Sequence, residues 1–183
     1  MNIKNSFLVA ASLLVLGSCT RHAGEPVRRG TLYNNESHVD TEGYTFFKLV
    51  HEKGWFETQL AKHMQSGSAS AEAKDLARMV VETYEPIVTE LEGIAGDFSV
   101  VLSDSALPGF AVPHHFDTDT LGNVNSAGYI AHVQHEQAAM LEQFKRLSRN
   151  TNKELQHFAE EKMPAVKALF TAAGGQEEHG AHH

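Results

Sequence analysis

Four stretches of this chain repeat apolar residues at intervals of three and four, the spacing that stacks side chains on one face of an α-helix. The first stripe is Phe46, Leu49, Val50, Phe56, Leu60 and Met64, and the second is Leu76, Met79, Val80, Thr83, Ile87, Leu91 and Ile94. The third is Ile130, Val133, Met140, Leu141, Phe144 and Leu147, and the fourth is Leu155, Phe158, Ala159, Val166, Leu169 and Phe170. None of these segments alternates with period two, so the pattern predicts an all-α domain without a sheet.

The residues between the stripes set their connections. Gly67-Ser68 separates the first two, and Ser70 is placed to cap the second helix. Thr151 and Glu154 have capping-box spacing at the start of the fourth helix, and Arg149-Asn150 closes the third. Short links at both places imply two antiparallel helical hairpins. Residues 97–124 between the hairpins carry Pro108, Gly109, Pro113 and Gly122 and no stripe. So long a connection is unusual within one domain. A four-helix bundle with one long crossover between helices 2 and 3 accounts for it, which is the ferritin-like topology. Pro86 falls inside the second stripe. Its missing N–H predicts a kink between Glu82 and Pro86, or a helix that restarts there.

Ahead of the stripes lies a segment of another kind. Lys4 supplies a positive start and Phe7 to Leu16 an apolar run. That run is about ten residues, half of what a permanent span needs, and it has the length of an export signal. Leu16-Gly17-Ser18-Cys19 resembles a bacterial lipobox: Leu, two small residues, then Cys. The resemblance implies cleavage before Cys19 and a diacylglycerol on its thiol. Two or more acyl chains anchor a protein stably where one holds it only marginally. Cys19 is the one cysteine in the chain, and its place argues against a chance cysteine behind an ordinary signal peptide. With it consumed by lipid, no intramolecular disulfide can form. By resemblance to lipoproteins of enteric bacteria, Thr20 rather than Asp after Cys19 implies an outer-membrane, periplasm-facing anchor. The expected organisation is a lipoprotein signal peptide over 1–18 and a flexible polar tether over 19–39. The four-helix domain follows over 40–174, then a disordered His-rich tail over 175–183. The tail's His179, His182 and His183 form at most a chelating tract. A formal charge of −8 argues against a nucleic-acid partner.

Residues Glu57 to Ala95, Tyr129 to Phe144 (YIAHVQHEQAAMLEQF) and Leu155 to Phe170 (LQHFAEEKMPAVKALF) resemble the bacterial domain of unknown function 4142 (DUF4142). That family is a ferritin-like bundle found in many exported proteins. The resemblance implies a Glu on helix one and one His on each of the other three. Glu57 matches the Glu, whereas the His positions hold Tyr84, Gln137 and Leu169. Leu cannot ligate a metal and Gln is a poor ligand for a transition metal. An inward Glu57 would need a partner. Tyr84 and Gln137 offer a phenol and an amide. The expectation is a polar core cluster of Glu57, Tyr84 and Gln137 with a structural or small-ligand role.

Other constellations carry less. A di-iron bundle needs Glu-x-x-His on two helices. Here only Glu154 to His157 fits, and Glu154 is already expected to cap. His132, His135 and Glu136 have the types and spacing of a zinc set. At about 100° per residue, however, His135 lies opposite the Val133-Gln137-Phe144 stripe and His132 well off it. They are expected to face solvent or a partner. His114 and His115, beside Phe116, Asp117 and Asp119, form a crossover group suited to a metal or to a pH response near ~6. The competing expectation is a polar loop pinned to the bundle by Phe110 and Phe116. No nucleophile–base pair, phosphate loop or dinucleotide fingerprint appears. The sequence therefore reads as a lipid-anchored envelope protein that is not an enzyme. Its bundle has a binding or a structural, stress-related role, its partner is a protein or small molecule, and no cofactor is predicted. The alternative is a metal-binding, ferritin-like redox or stress-protection protein.

Overall fold

The computed structural model describes residues 37–102, 109–116 and 123–176. The signal segment, Cys19, most of the tether, Asp117, Asp119 and the tail histidines His179, His182 and His183 lie outside the described residues. Within them are four α-helices and no strand beyond an isolated bridge at Val124. They are α1 (Thr41–Ser66), α2 (Ala71–Asp97), α3 (Ser126–Leu147) and α4 (Lys153–Ala172). No described helix is long and apolar enough to cross a membrane.

Each helix opens on a side chain that takes up N–H groups otherwise left without partners. Asp40 accepts from Gly43, Ser70 from Ala73, Asn125 from Gly128, and Asn152 from both Glu154 and Leu155. Ser70 thus caps α2 as its position predicts. The fourth cap departs from expectation, being Asn152 rather than Thr151. The Asn152 N–H donates to Asn150 Oδ1 at 2.9 Å, which holds residue 152 extended at the helix start while Thr151 stays exposed. Glu154 then falls one position too early to close a capping box. α3 also ends sooner than expected, at Leu147, with Ser148 as its C-cap.

α2 runs without interruption through Pro86, so the restart expected there does not occur. Val80, Tyr84, Ile87 and Leu91 are buried on both sides of the proline and hold the helix by packing. Pro86 and Glu82 are exposed, so the carbonyl that loses its donor faces water. α4 ends against Gly174, whose φ of +87° lies in the left-handed region that glycine enters without steric cost.

Contacts between helix ends fix the directions. The His38 N–H donates to Phe98 O at 2.8 Å, bringing the start of α1 to the end of α2. Asn150 Nδ2 donates to Asp40 Oδ2 at 3.0 Å, bringing the end of α3 to the start of α1. The Ser70 N–H donates to Ser126 Oγ at 2.8 Å, and both residues stand at helix beginnings. α2 and α3 therefore run parallel, and the segment joining them must return along the whole bundle. This is the ferritin-like order of one long crossover between two antiparallel hairpins.

The core is built mostly from the predicted stripes, with a rotation. Leu49, Phe56, Met79, Ile94 and Ile130 are only partly buried, while Phe47, Tyr84 and Tyr129 are fully enclosed. A bundle helix is covered by two neighbours, so its buried face extends to the flanks of the apolar line. Phe46, Phe144 and Phe158 form one layer across α1, α3 and α4, with Phe46 edge-on to Phe144 at 5.1 Å. At Gly54 α1 and α2 nearly touch: a Cβ there would meet Val88 Cγ2 at 2.7 Å.

Candidate functional site

Within this hydrocarbon core sits one group of polar side chains. Glu57 of α1 is 1% exposed, and Tyr84 of α2 and Tyr129 and Gln137 of α3 are 0% exposed. Buried polar groups cost free energy unless hydrogen bonded, so their pairing decides what the centre can do. The Tyr84 hydroxyl donates to Gln137 Oε1, joining α2 to α3. His132 Nε2 lies 2.9 Å from Glu57 Oε1, joining α3 to α1. The expected cluster of Glu57, Tyr84 and Gln137 thus occupies the interior, but the pairing differs from expectation. The direct partner of Glu57 is His132.

That corrects the solvent-facing placement of His132 and Glu136. Both lie on the flank of α3 that meets α1, and Glu136 Oε2 accepts from Lys53 Nζ at 2.7 Å. Position 132 is about 100° off the stripe at Val133, which on a free helix would be surface but here is the α1 contact. His135, on the far side, is exposed. The three do not form a zinc set, and among the described residues no group of three His, Cys, Asp or Glu is placed to hold a metal.

The electrostatics follow from the packing. Burial, and then the nearby Glu57 charge, push the phenols of Tyr84 and Tyr129 up, so both remain protonated donors. For His132, burial opposes the charged form. The hydrogen bond to Glu57 and the charges of Glu57 and Glu136 outweigh it, with Lys53 in opposition, and hold the imidazole above its ordinary 6.5. Three buried atoms have no hydrogen-bond partner among the described residues: Glu57 Oε2, Tyr129 OH and Gln137 Nε2.

The crossover covers this centre. Phe116 is 1% exposed, with its ring 5.2 Å from His132 and 6.5 Å from Tyr129. A turn sets it there: Phe116 N–H donates to Pro113 O, and Phe116 O accepts from the Asn125 N–H at 2.7 Å. Asn125 Nδ2 also donates to His115 O, so the residue that caps α3 anchors the turn as well. Phe110 packs against Trp55 and Phe56. His114 and His115 themselves are exposed.

Two further pairs were not foreseen from the sequence. His51, 3% exposed, meets Glu92 Oε1 of α2 at 2.8 Å, and Lys53 meets Glu136 of α3. The first had a signal: Phe47, His51 and Gly54 share one helical line, so a histidine within it would be buried and in need of a partner. Beside these pairs, a surface groove of about 320 Å³ between α1 and α2 is walled by Trp55, Thr58, Tyr84 and Glu92. Leu169 contributes buried hydrocarbon on α4. Compared with protein-family models, curated proteins and solved structures, the chain matches none.

Proposed function

We propose that this chain is a lipid-anchored envelope protein, tethered through Cys19 to the periplasmic side of the outer membrane. Its bundle, akin to the DUF4142 proteins, works by binding rather than catalysis. The observation that carries the binding role is the enclosed polar centre. Its carboxylate is engaged by His132 and its Tyr84 phenol by Gln137, and Phe116 lies against His132 and Tyr129. Such an arrangement recognises by hydrogen bonds. It leaves no nucleophile beside a free base. The anchor rests on Leu16-Gly17-Ser18-Cys19. A Cys19→Ser chain expressed in bacteria should leave the detergent phase in a phase-partition assay while the unmodified chain stays in it. Equal partition of the two would overturn the anchor.

A metal-dependent, ferritin-like role is the second reading. It draws on the contact of Glu57 with His132, a carboxylate and an imidazole on adjoining helices. Tyr84, Gln137 and Leu169 weigh against it, since none is a good ligand for a transition metal at neutral pH.

A further inference from the structure

The groove between α1 and α2 has a regular lining. Trp55, Gln59 and Lys62 border it on α1, and Glu85, Val88 and Glu92 border it on α2. On each helix these positions recur at intervals of three and four, so they share one face. Buried Tyr84 and Thr58 form the floor, and the Tyr84 hydroxyl is already held by Gln137. Gly54 sets how closely the two walls approach. A Cβ there would meet Val88 Cγ2 at 2.7 Å and Tyr84 Cδ1 at 3.4 Å. The helix pairing itself thus forms the groove, before any guest arrives. Its volume of about 320 Å³ is at the small end of the range for small-molecule sites.

Its polar groups offer donors and acceptors together. Trp55 Nε1 and the Gln59 amide, both on half-buried residues, make no hydrogen bond among the described residues. Lys62 Nζ meets Glu85 Oε1 at 2.7 Å, and His51 Nε2 meets Glu92 Oε1 at 2.8 Å. Each carboxylate keeps its second oxygen as an acceptor, and the ammonium keeps further donors. These pairs decide against charged guests. An anion would face both carboxylates. A cation would have to displace Lys62 or His51 from its partner. A neutral guest leaves both pairs in place. Hydroxyls suit such a lining, because each one donates and accepts. The rest of the wall, made by the Trp55 indole, Val88 and the Tyr84 ring, is hydrocarbon and favours a guest with an apolar side. A pyranose combines the two, with C–H faces and a rim of hydroxyls.

We propose that the groove between α1 and α2 binds one neutral pyranose unit, its C–H face toward Trp55 and its hydroxyls bonded to Gln59, Lys62, Glu85 and Glu92. The site adds a ligand class to the binding role and lies apart from Glu57, His132 and Gln137, none of which lines the groove. Phe110 of the crossover meets the Trp55 ring at 6.3 Å and nearly at right angles. The crossover thereby braces the indole on which the sugar rests.

Trp55 is the one tryptophan in the chain, so its emission and its indole N–H resonance report on the groove directly. The full chain is titrated with methyl glucoside, methyl galactoside and N-acetylglucosamine, and with glucuronate and choline as anionic and cationic counterparts. At least one neutral pyranose should shift both signals saturably, at roughly millimolar concentration for so small a guest, and the charged probes should act more weakly. Gln59→Ala places a strong helix former at a half-buried position and keeps the fold. It should bind the same sugar about fivefold less tightly, through loss of one hydrogen bond. The absence of a saturable shift with all three pyranoses overturns the site. So does a response to choline or glucuronate as strong as that to the sugars, or an affinity unchanged in Gln59→Ala. Such a failure is distinct from failure of the binding role, which rests on the interior centre and falls if a stoichiometric metal is found there.

Discussion

His132 couples the ionisation of this protein to its packing. Its pKa is raised in the folded state, so the stability it contributes is fully present below the unfolded value of about 6.5. That contribution is lost as pH rises through the higher folded value. The Tm difference between the protein and a His132→Gln variant should therefore be largest near pH ~6 and shrink on the alkaline side. A difference that is flat, or that grows with pH, would show that His132 does not pair with Glu57 in its charged form. Gly54 makes a separate prediction. A methyl there meets Val88 Cγ2 at 2.7 Å, and overpacking typically costs about 1–3 kcal/mol. Glycine to alanine within a helix returns roughly 0.5–1 kcal/mol. Chemical denaturation of Gly54→Ala should thus show a net loss of about 1 kcal/mol. At this scale the sequence pointed to Glu57, Tyr84 and Gln137 through the DUF4142 resemblance rather than through the stripes. It was not legible for His132, because a flank position becomes interior only when a particular neighbour covers it.

Among the elements, the start of α4 discriminates most sharply between spacing and structure. Asn152 takes two N–H groups, at 3.0 and 3.2 Å, whereas Thr151 is exposed. Urea melts should show Asn152→Ala destabilised by about 1 kcal/mol and Thr151→Ala changed by less than about 0.5 kcal/mol. The reverse order would restore the capping box. Both residues are good caps by type, so local sequence could not choose between them. The choice depends on Asn150, buried and bonded to Asp40 at the far end of the chain. The aromatic layer tests the bundle itself. Phe144→Ala removes a ring that packs on Phe46 and Phe158, and should cost about 3–5 kcal/mol by the same melts. Pro86 illustrates tertiary packing prevailing over local propensity, since buried residues on either side carry α2 through it.

For the whole molecule, the four helices and the long second connection were legible because helical period and breaker residues are local signals. The parallel course of α2 and α3 followed from connection length, and Ser70 bonded to Ser126 bears it out. Phe110 and Phe116 pin the crossover to the bundle as expected, but which side chains they meet was less accessible. Phe116 is positioned by Asn125, and Glu57 is engaged by a residue far along the chain. Such pairings depend on register between helices, which no single stripe encodes. The resulting interior has a carboxylate, an imidazole, two phenols and an amide where the DUF4142 resemblance implies one carboxylate and three histidines. The binding role proposed for this bundle depends on that interior being a hydrogen-bonding centre rather than a metal centre. Elemental analysis of protein lacking residues 175–183, purified without chelator, decides this most directly. A hydrogen-bonding centre predicts no stoichiometric iron, manganese or zinc. One equivalent of any of these, lost in Glu57→Gln, would contradict it.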